Sequence, residues 1–238
     1  MFPATTQDAP HGKAGGLAAL YLAVAYLAAM PYFLLVVDYP SATTAAEKVA
    51  SMVRDHQSMH LMYLVTYVFL GVALAVLVLS LYERLRVGSE LGDRVATVVG
   101  LMWATALVLS GLVFNHGMET VVSLSETRPE QAATAWQAIE PISDSLGGAG
   151  GETLGGLWML LVCWTALRGR ALPTRLAWFG VWIGLIGLAS TVPALHEASY
   201  LFGLQQIAWF AWLGTALLAR RATTPRPTAD REPALGAV

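Results

Sequence analysis

Six long apolar segments constrain the fold of this 238-residue chain more than any other feature. A helix that crosses a membrane needs about 20 predominantly apolar residues. Segments that approach or exceed this length lie at about 15–37, 59–81, 95–114, 154–167, 176–192 and 200–218, the fourth after a glycine-rich lead-in. In lipid the backbone polar groups of a segment must bond within that segment, so we expect all six to be helices. The sequence therefore predicts an all-α, polytopic membrane bundle with six transmembrane helices.

The composition excludes several other classes of protein. Apolar residues make up 56% of the chain and charged residues 13%, about half the charged share of a soluble domain. The net charge of −2 leaves no basic surface for nucleic acid. The single cysteine, Cys163, excludes an intrachain disulfide and a cysteine-based zinc or iron–sulfur site.

The distribution of arginine and lysine predicts the orientation. The even-numbered connections and both terminal segments carry 11 of these residues, and the odd-numbered connections carry only Lys48, Arg54 and Arg128. The positive-inside rule then places both termini in the cytoplasm. We expect a multi-pass protein of the bacterial inner (plasma) membrane, with a cytoplasmic segment at 1–14, the six-helix domain at 15–221 and a disordered, proline-rich cytoplasmic tail at 222–238.

Two outer connections have helical patterns of their own. Thr44 and Glu47 form a capping-box pattern ahead of a run whose apolar residues lie on one face. The segment 125–145 is also helix-prone. The sequence predicts short amphipathic helices on the outer surface, the first leading into the second span.

Glycines are spaced by four residues before and within the fourth span. Gly147, Gly151 and Gly155 would lie on one helix face, where small residues let helix backbones approach closely. We expect tight packing at this face and a homodimer formed through it.

The order of these features resembles a known family. The quoted segments are "LVLSLYERLR" at 77–86, "LWMLLVCWTALRGRALPTRLAWFGVWIGLIGLAS" at 157–190 and "AWFAWLGTALLARR" at 208–221, after the outer "AAEKVASMV" helix. This arrangement resembles a widespread bacterial family of six-helix integral membrane proteins catalogued as a domain of unknown function. The resemblance covers about residues 15–221 and implies the six-helix fold. It implies no reaction and no ligand set.

Four histidines fall on the predicted outer side. His56 and His60 stand four residues apart and His116 precedes Glu119 by three, so each pair shares a helix face. His196 follows the fifth span. Imidazole and carboxylate together suit zinc or another divalent metal, which makes the four histidines candidate metal ligands. The alternative is that these side chains mark the membrane–water boundary because the lipid core excludes them.

Glu152 lies at the outer start of the fourth span. With Glu119 it is a candidate catalytic residue, since either could act as general base on metal-bound water. The alternative for Glu152 is a solvated carboxylate favoured by the helix dipole. The six tryptophans of the last three spans are predicted to form an interfacial belt.

Three functions remain open from the sequence. The first is a non-catalytic envelope binding, sensing or partner module. The second is a membrane-embedded, metal-dependent enzyme acting on a lipid or amphipathic substrate at the outer face. The third is a small transporter whose path includes Glu152.

Overall fold

A computed structural model describes residues 8–85, 90–147 and 152–219, which form helices and no β-strand. The helices are α1 (Asp8–Pro31), α2 (Ala45–Tyr63), α3 (Phe69–Leu85), α4 (Glu90–Ser125), α5 (Pro129–Gly147), α6 (Thr153–Gly169), α7 (Thr174–Ala189) and α8 (Ala198–Ala219). A π-helical turn, Tyr32–Val36, extends α1, and a second, Leu64–Val68, joins α2 to α3. The all-helical prediction is confirmed. The predicted tail at 222–238 lies outside the described residues.

Six of the helices form a ring. In chain order α1, α3, α4, α6, α7 and α8 each pack on the next, and α8 packs on α1 to close the circle. We call the end where α1 begins and α8 ends the terminal end, and the opposite end the distal end. At the terminal end, Gly15 of α1 lies against Ser80 of α3 and Leu217 of α8.

Four helical segments are long and apolar enough to cross a membrane. They are Gly12–Val36, Ala45–Leu85, Leu91–Ser125 and Ala198–Ala219, while α6 and α7 are apolar but shorter. Large apolar side chains cover the outside of the ring, among them Val24, Phe69, Val98 and Trp178, each more than half exposed. A soluble monomer does not expose apolar surface on this scale. The chain has the surface and the helix lengths of a membrane protein.

The distal end carries a second layer, in which α2 and α5 pack on the extension of α4. Its core contains Met52, Met118 and Trp136, all fully buried. The predicted capping box is present at the start of α2: Glu47 N–H donates to Thr44 Oγ1, and the Glu47 carboxylate accepts from Thr44 N–H. The two distal helices are confirmed, although α2 continues through the π-turn into α3 rather than ending at the surface.

A polar cluster holds this layer together. Lys48 Nζ lies 2.7 and 2.8 Å from the two oxygens of Glu140, and Tyr39 Oη donates to the same carboxylate at 2.8 Å. Both charged side chains are largely buried. Because α2, α5 and the turn after α1 each contribute one of these three groups, the cluster fixes the layer as a unit.

The tryptophans divide into two groups. Trp164, Trp178, Trp182 and Trp212 are exposed on the outside of the ring, as a belt requires. The belt prediction is wrong for Trp158 and Trp209, which are fully buried and lie edge to face at 6.1 Å. Helical spacing alone does not separate an inward-facing tryptophan from a lipid-facing one.

The predicted glycine face is used within the chain. A side chain at Gly147 would meet Ser110 and Tyr67, and one at Gly155 would meet Phe202 and Trp103. Gly151 lies outside the described residues. The close packing expected at Gly147 and Gly155 is therefore found inside the ring, and the homodimer stays a prediction.

The tightest helix approach generates a test. A Cβ on Gly156 would lie 2.8 Å from Leu188 N and 2.9 Å from Gly184 O, both backbone atoms of α7, whereas a Cβ on Gly203 would meet nothing within 4 Å. We expect Gly156→Ala to lower the melting temperature in detergent by several degrees, because overpacking costs about 1–3 kcal/mol. Gly203→Ala is the control and should be neutral or slightly stabilising. Equal melting temperatures for the two variants would contradict the α6–α7 packing.

Candidate functional site

Glu152 immediately precedes α6 at the distal end of the ring. Its backbone N–H donates to Ser190 Oγ at 3.0 Å, and Ser190 Oγ donates to Gly187 O at 2.7 Å, so the end of α7 fixes its position. Its carboxylate makes no capping hydrogen bond to α6. The side chain therefore does not cap α6 through a hydrogen bond.

The Glu152 side chain instead faces a cavity of about 220 Å³. The lining residues are Tyr26, Ala29, Phe33, Thr66, Tyr67, Leu107, Gly147, Glu152, Ser199 and Tyr200. They come from α1, both π-turns, α4, the end of α5 and the start of α8, so the cavity is located over the centre of the ring. We call it the Glu152 cleft. A smaller cavity of about 70 Å³, lined by Trp103 and Ser145, adjoins the other side of Glu152.

Irregular backbone surrounds the cleft. One π-turn contributes Phe33 and the other contributes Thr66 and Tyr67. A π-turn interrupts the regular hydrogen-bond ladder of a helix, and such turns often occur at functional sites. Here Tyr21 Oη of α1 donates to Val65 O within the second turn at 2.8 Å, which satisfies a carbonyl of the irregular stretch. The side-chain bond supports a distortion that lipid alone would not tolerate.

Glu152 has no counter-charge. Within the described ranges no lysine, arginine or histidine forms an ion pair with it. The titratable side chains that face it from neighbouring elements are the phenols Tyr26 and Tyr67. Protein surrounds the carboxyl group except where it borders the cavities, and this burial raises the pKa of Glu152 to about 8.

Toward the terminal end, aromatic side chains close the ring below the cleft. The ring centroids of Trp103 and Trp158 lie 5.6 Å apart, and those of Trp158 and Trp209 lie 6.1 Å apart. Trp209 Nε1 donates a hydrogen bond to Leu176 O. The tryptophans belong to one continuous buried core that fills the ring toward the terminal end. The cleft is therefore a pocket at the distal end rather than a pore.

One buried amide lies beneath the cleft. Gln206 is fully buried on α8, seven residues after the cleft residue Ser199 and so on the same helix face. Neither its Nε2 nor its Oε1 has a hydrogen-bond partner among the described residues. Like Glu152, it is an uncompensated polar group on the inside of the ring.

Part of the predicted histidine cluster comes together elsewhere, in the distal layer. His56 Nε2 lies 3.0 Å and His60 Nδ1 3.4 Å from the same oxygen of Glu119. Asn115 Nδ2 donates to His60 O at 3.2 Å. A kink at Asp55 directly precedes His56. These contacts join α2 to α4.

The other two histidines do not join this cluster. His116 and His196 are exposed, and the structure shows no bond from either side chain to His56, His60 or Glu119. Among the described residues no group of three or more His, Cys, Asp or Glu side chains is arranged to hold a metal ion. The metal site at the four histidines stays a prediction.

The two candidate catalytic carboxylates lie in different places. Leu107, which lines the cleft with Glu152, precedes Glu119 by 12 residues on α4, or about 18 Å along the helix axis. Glu119 therefore belongs to the distal layer and Glu152 to the ring. One metal-bound water could not be shared between them without a large movement.

Sequence analysis identified Glu152 but missed its surroundings. The cleft is lined by Tyr26, Phe33, Tyr67 and Ser199, among others. Each of these residues is of a type that is common in an ordinary apolar span. The available signal was the aromatic–hydroxyl content near the outer ends of the first, second and sixth spans. That signal is weak because tyrosine at such positions usually belongs to an interfacial belt.

Comparison with protein-family models, with curated proteins and with solved structures finds no significant match to this chain. The resemblance to a six-helix family of unknown function therefore stays a prediction.

The raised pKa of Glu152 predicts a pH-dependent stability. An unfolded carboxyl ionises near its ordinary pKa of 4.5, whereas the folded one resists ionisation up to about pH 8. Protonation is thus favoured in the folded state, and stability should fall as pH rises from about 5 to 8 and level off above. We expect the melting temperature of Glu152→Gln to decline less than that of the wild type over this range.

A solvent-exposed change, Glu126→Gln, is the control and should follow the wild-type curve. If Glu152→Gln declined in parallel with the wild type, the buried, uncompensated state of Glu152 would be disproved.

Proposed function

We propose that the protein crosses the bacterial plasma membrane six times, with both termini and the terminal end of the ring in the cytoplasm. The closed ring of six apolar helices supports this arrangement, since α6 and α7 occupy the same layer as the four longer helices. The arginines of α6 and α7 support the orientation: Arg168 and Arg175 lie at the terminal end. Under this proposal the Glu152 cleft opens on the outer side.

Single cysteines test this topology. In a Cys163→Ala background, Thr127→Cys places a thiol between α4 and α5, and Thr174→Cys places one at the start of α7; both positions are exposed. An impermeant maleimide added to intact cells should label the first and spare the second, while permeabilised cells should show both labelled. Labelling of Thr174→Cys in intact cells would contradict the orientation.

As its function, we propose that the protein is a non-catalytic binding module whose ligand site is the Glu152 cleft. One observation carries the proposal: an acidic side chain with no counter-charge among the described residues lines a largely apolar cavity built from both ends of the chain. A preformed cavity with a few convergent polar groups is the usual form of a ligand site. A purely structural bundle would have no reason to keep an uncompensated carboxyl there.

Binding accounts for the geometry better than transport or catalysis does. A transporter needs a route past its binding site. Here the buried tryptophans and the packed core close the ring between the cleft and the terminal end. The proposed metal-dependent enzyme needs ligands near its general base, but His56 and His60 meet Glu119 and not Glu152. Both functions would require a second conformation, whereas binding requires only the one described.

Blocking the cleft tests the proposal. Ala29 lines the cavity, and its neighbour Ala28 is exposed on the outside of the ring. We expect native mass spectrometry of the detergent-purified protein to show a bound small molecule or lipid in near-stoichiometric amount. Ala29→Trp should lose it because the indole fills the cavity, and Ala28→Trp should keep it. Equal retention by both variants, or a wild-type protein that carries nothing, would count against the binding function.

A further inference from the structure

The residues that line the cleft are of types that attract positive charge. The acidic group of the cleft is Glu152, and four of its ten lining residues are aromatic: Tyr26, Phe33, Tyr67 and Tyr200. Aromatic faces and a carboxylate both attract positive charge: the ring quadrupole presents a negative face, and the carboxylate supplies the counter-ion. Among the described residues no basic side chain lines the cavity. Once Glu152 is ionised, the same surroundings would repel an anion.

We propose that the Glu152 cleft binds an organic ammonium cation, held between the Glu152 carboxylate and the aromatic rings of the cleft. This inference rests on the proposed binding function and specifies its ligand class. The charge of the ligand supplies the partner that Glu152 lacks within the described ranges. Its carbon substituents contact the rings and the apolar residues Ala29 and Leu107.

A metal ion fits the cleft less well than an ammonium does. Metal ions of the calcium and magnesium type take six or more oxygen ligands. The cleft offers one carboxylate and the hydroxyls of Tyr26, Tyr67 and Tyr200. The hydroxyls of Thr66 and Ser199 already donate to Met62 O and His196 O, each at 2.8 Å. Among the described residues no second acidic side chain lines the cavity. A weakly hydrated organic cation needs no such oxygen shell.

Ligand binding should be linked to release of a proton. The buried carboxyl of Glu152 holds a proton in the empty cleft at neutral pH, because burial raises its pKa to about 8. The ion pair with an ammonium requires the ionised form, so that one proton leaves for each cation bound. Affinity for a permanently charged cation should therefore rise with pH and reach a plateau above about pH 8.

The test compares choline with dimethylbutanol, its neutral carbon isostere, on the full-length protein in phosphatidylglycerol nanodiscs. We expect choline to bind at least ten times more tightly than dimethylbutanol at pH 8, by equilibrium dialysis with radiolabelled ligand. Its affinity should fall at least tenfold between pH 8 and pH 6. Glu152→Gln should remove both the preference and the pH dependence, while Glu126→Gln, exposed in the distal layer, should retain both.

Results that contradict the ammonium inference can be told apart from results that contradict the binding function. If both probes bind equally and Ala29→Trp removes both, the cleft is a binding site but the ammonium inference fails. If choline does not bind, or if Glu152→Gln keeps the choline preference, the inference also fails. The binding function is then decided by the bound species in the Ala28→Trp and Ala29→Trp proteins alone.

A last comparison separates two sources of the ammonium group. Phosphatidylethanolamine carries an ammonium at the membrane surface, and soluble amines carry one in the aqueous phase. If the lipid headgroup is the occupant, adding phosphatidylethanolamine to the nanodiscs should weaken choline binding several-fold. If the occupant is soluble, choline affinity should be the same in both lipid compositions. Either result supports the ammonium class.

Discussion

The need to satisfy backbone polar groups in an apolar environment governs this structure. A regular helix meets that need by itself, so any irregularity must be compensated by the protein. Here the irregular places gather at one level: the two π-turns, Glu152 before α6, and the end of α7. Tyr21 Oη and Ser190 Oγ bond the backbone at two of them. The cleft exists because those distortions face one another across the ring, and the same distortions bring the side chains of Glu152 and Tyr67 to it.

The two polar sites of the molecule differ in how far their charges are compensated. In the distal layer Glu140 is paired with Lys48 and Tyr39, and an oxygen of Glu119 lies 3.0 Å from His56 Nε2 and 3.4 Å from His60 Nδ1. Each of these sets joins α2 to another helix, which gives it a structural role without any ligand. Glu152 and Gln206 differ from these sets, since neither side chain has a hydrogen bond or an ion pair within the described residues. Burying an unmatched polar group costs free energy. A ligand that supplies the match would recover that cost on binding.

The sequence predicted the elements that depend on one local pattern, such as the length of an apolar segment or a capping box. Apolar length located all six ring helices, and the bounds of α6, α7 and α8 agree within three residues. It missed the early start of α1, the extension of α4 to Ser125 and the π-turn that separates α2 from α3. The Thr44–Glu47 pattern predicted the start of α2. Sequence reasoning failed where direction around a helix matters, as for the buried Trp158 and Trp209. The π-turns have no sequence signal, because they arise from packing between α1 and the α2–α3 helix. The sequence suggested that the four outer histidines could share one site. It could not show that only His56 and His60 lie near Glu119, while His116 and His196 lie outside that cluster. The relative rotation of α2 and α4 decides this, and it is a tertiary property.

The asymmetry of the ring along its axis limits what the cleft can do. Its terminal half is a continuous close-packed core, so that half resists rearrangement. Its distal half contains the cavities, the irregular turns and the uncompensated carboxyl. A change in occupancy of the cleft would therefore act first on its own walls, α1, the π-turn at Leu64–Val68 and the start of α8, and through that turn on α2. Because α2 carries the contacts to Glu140 and Glu119, a shift of that turn would act next on the distal layer.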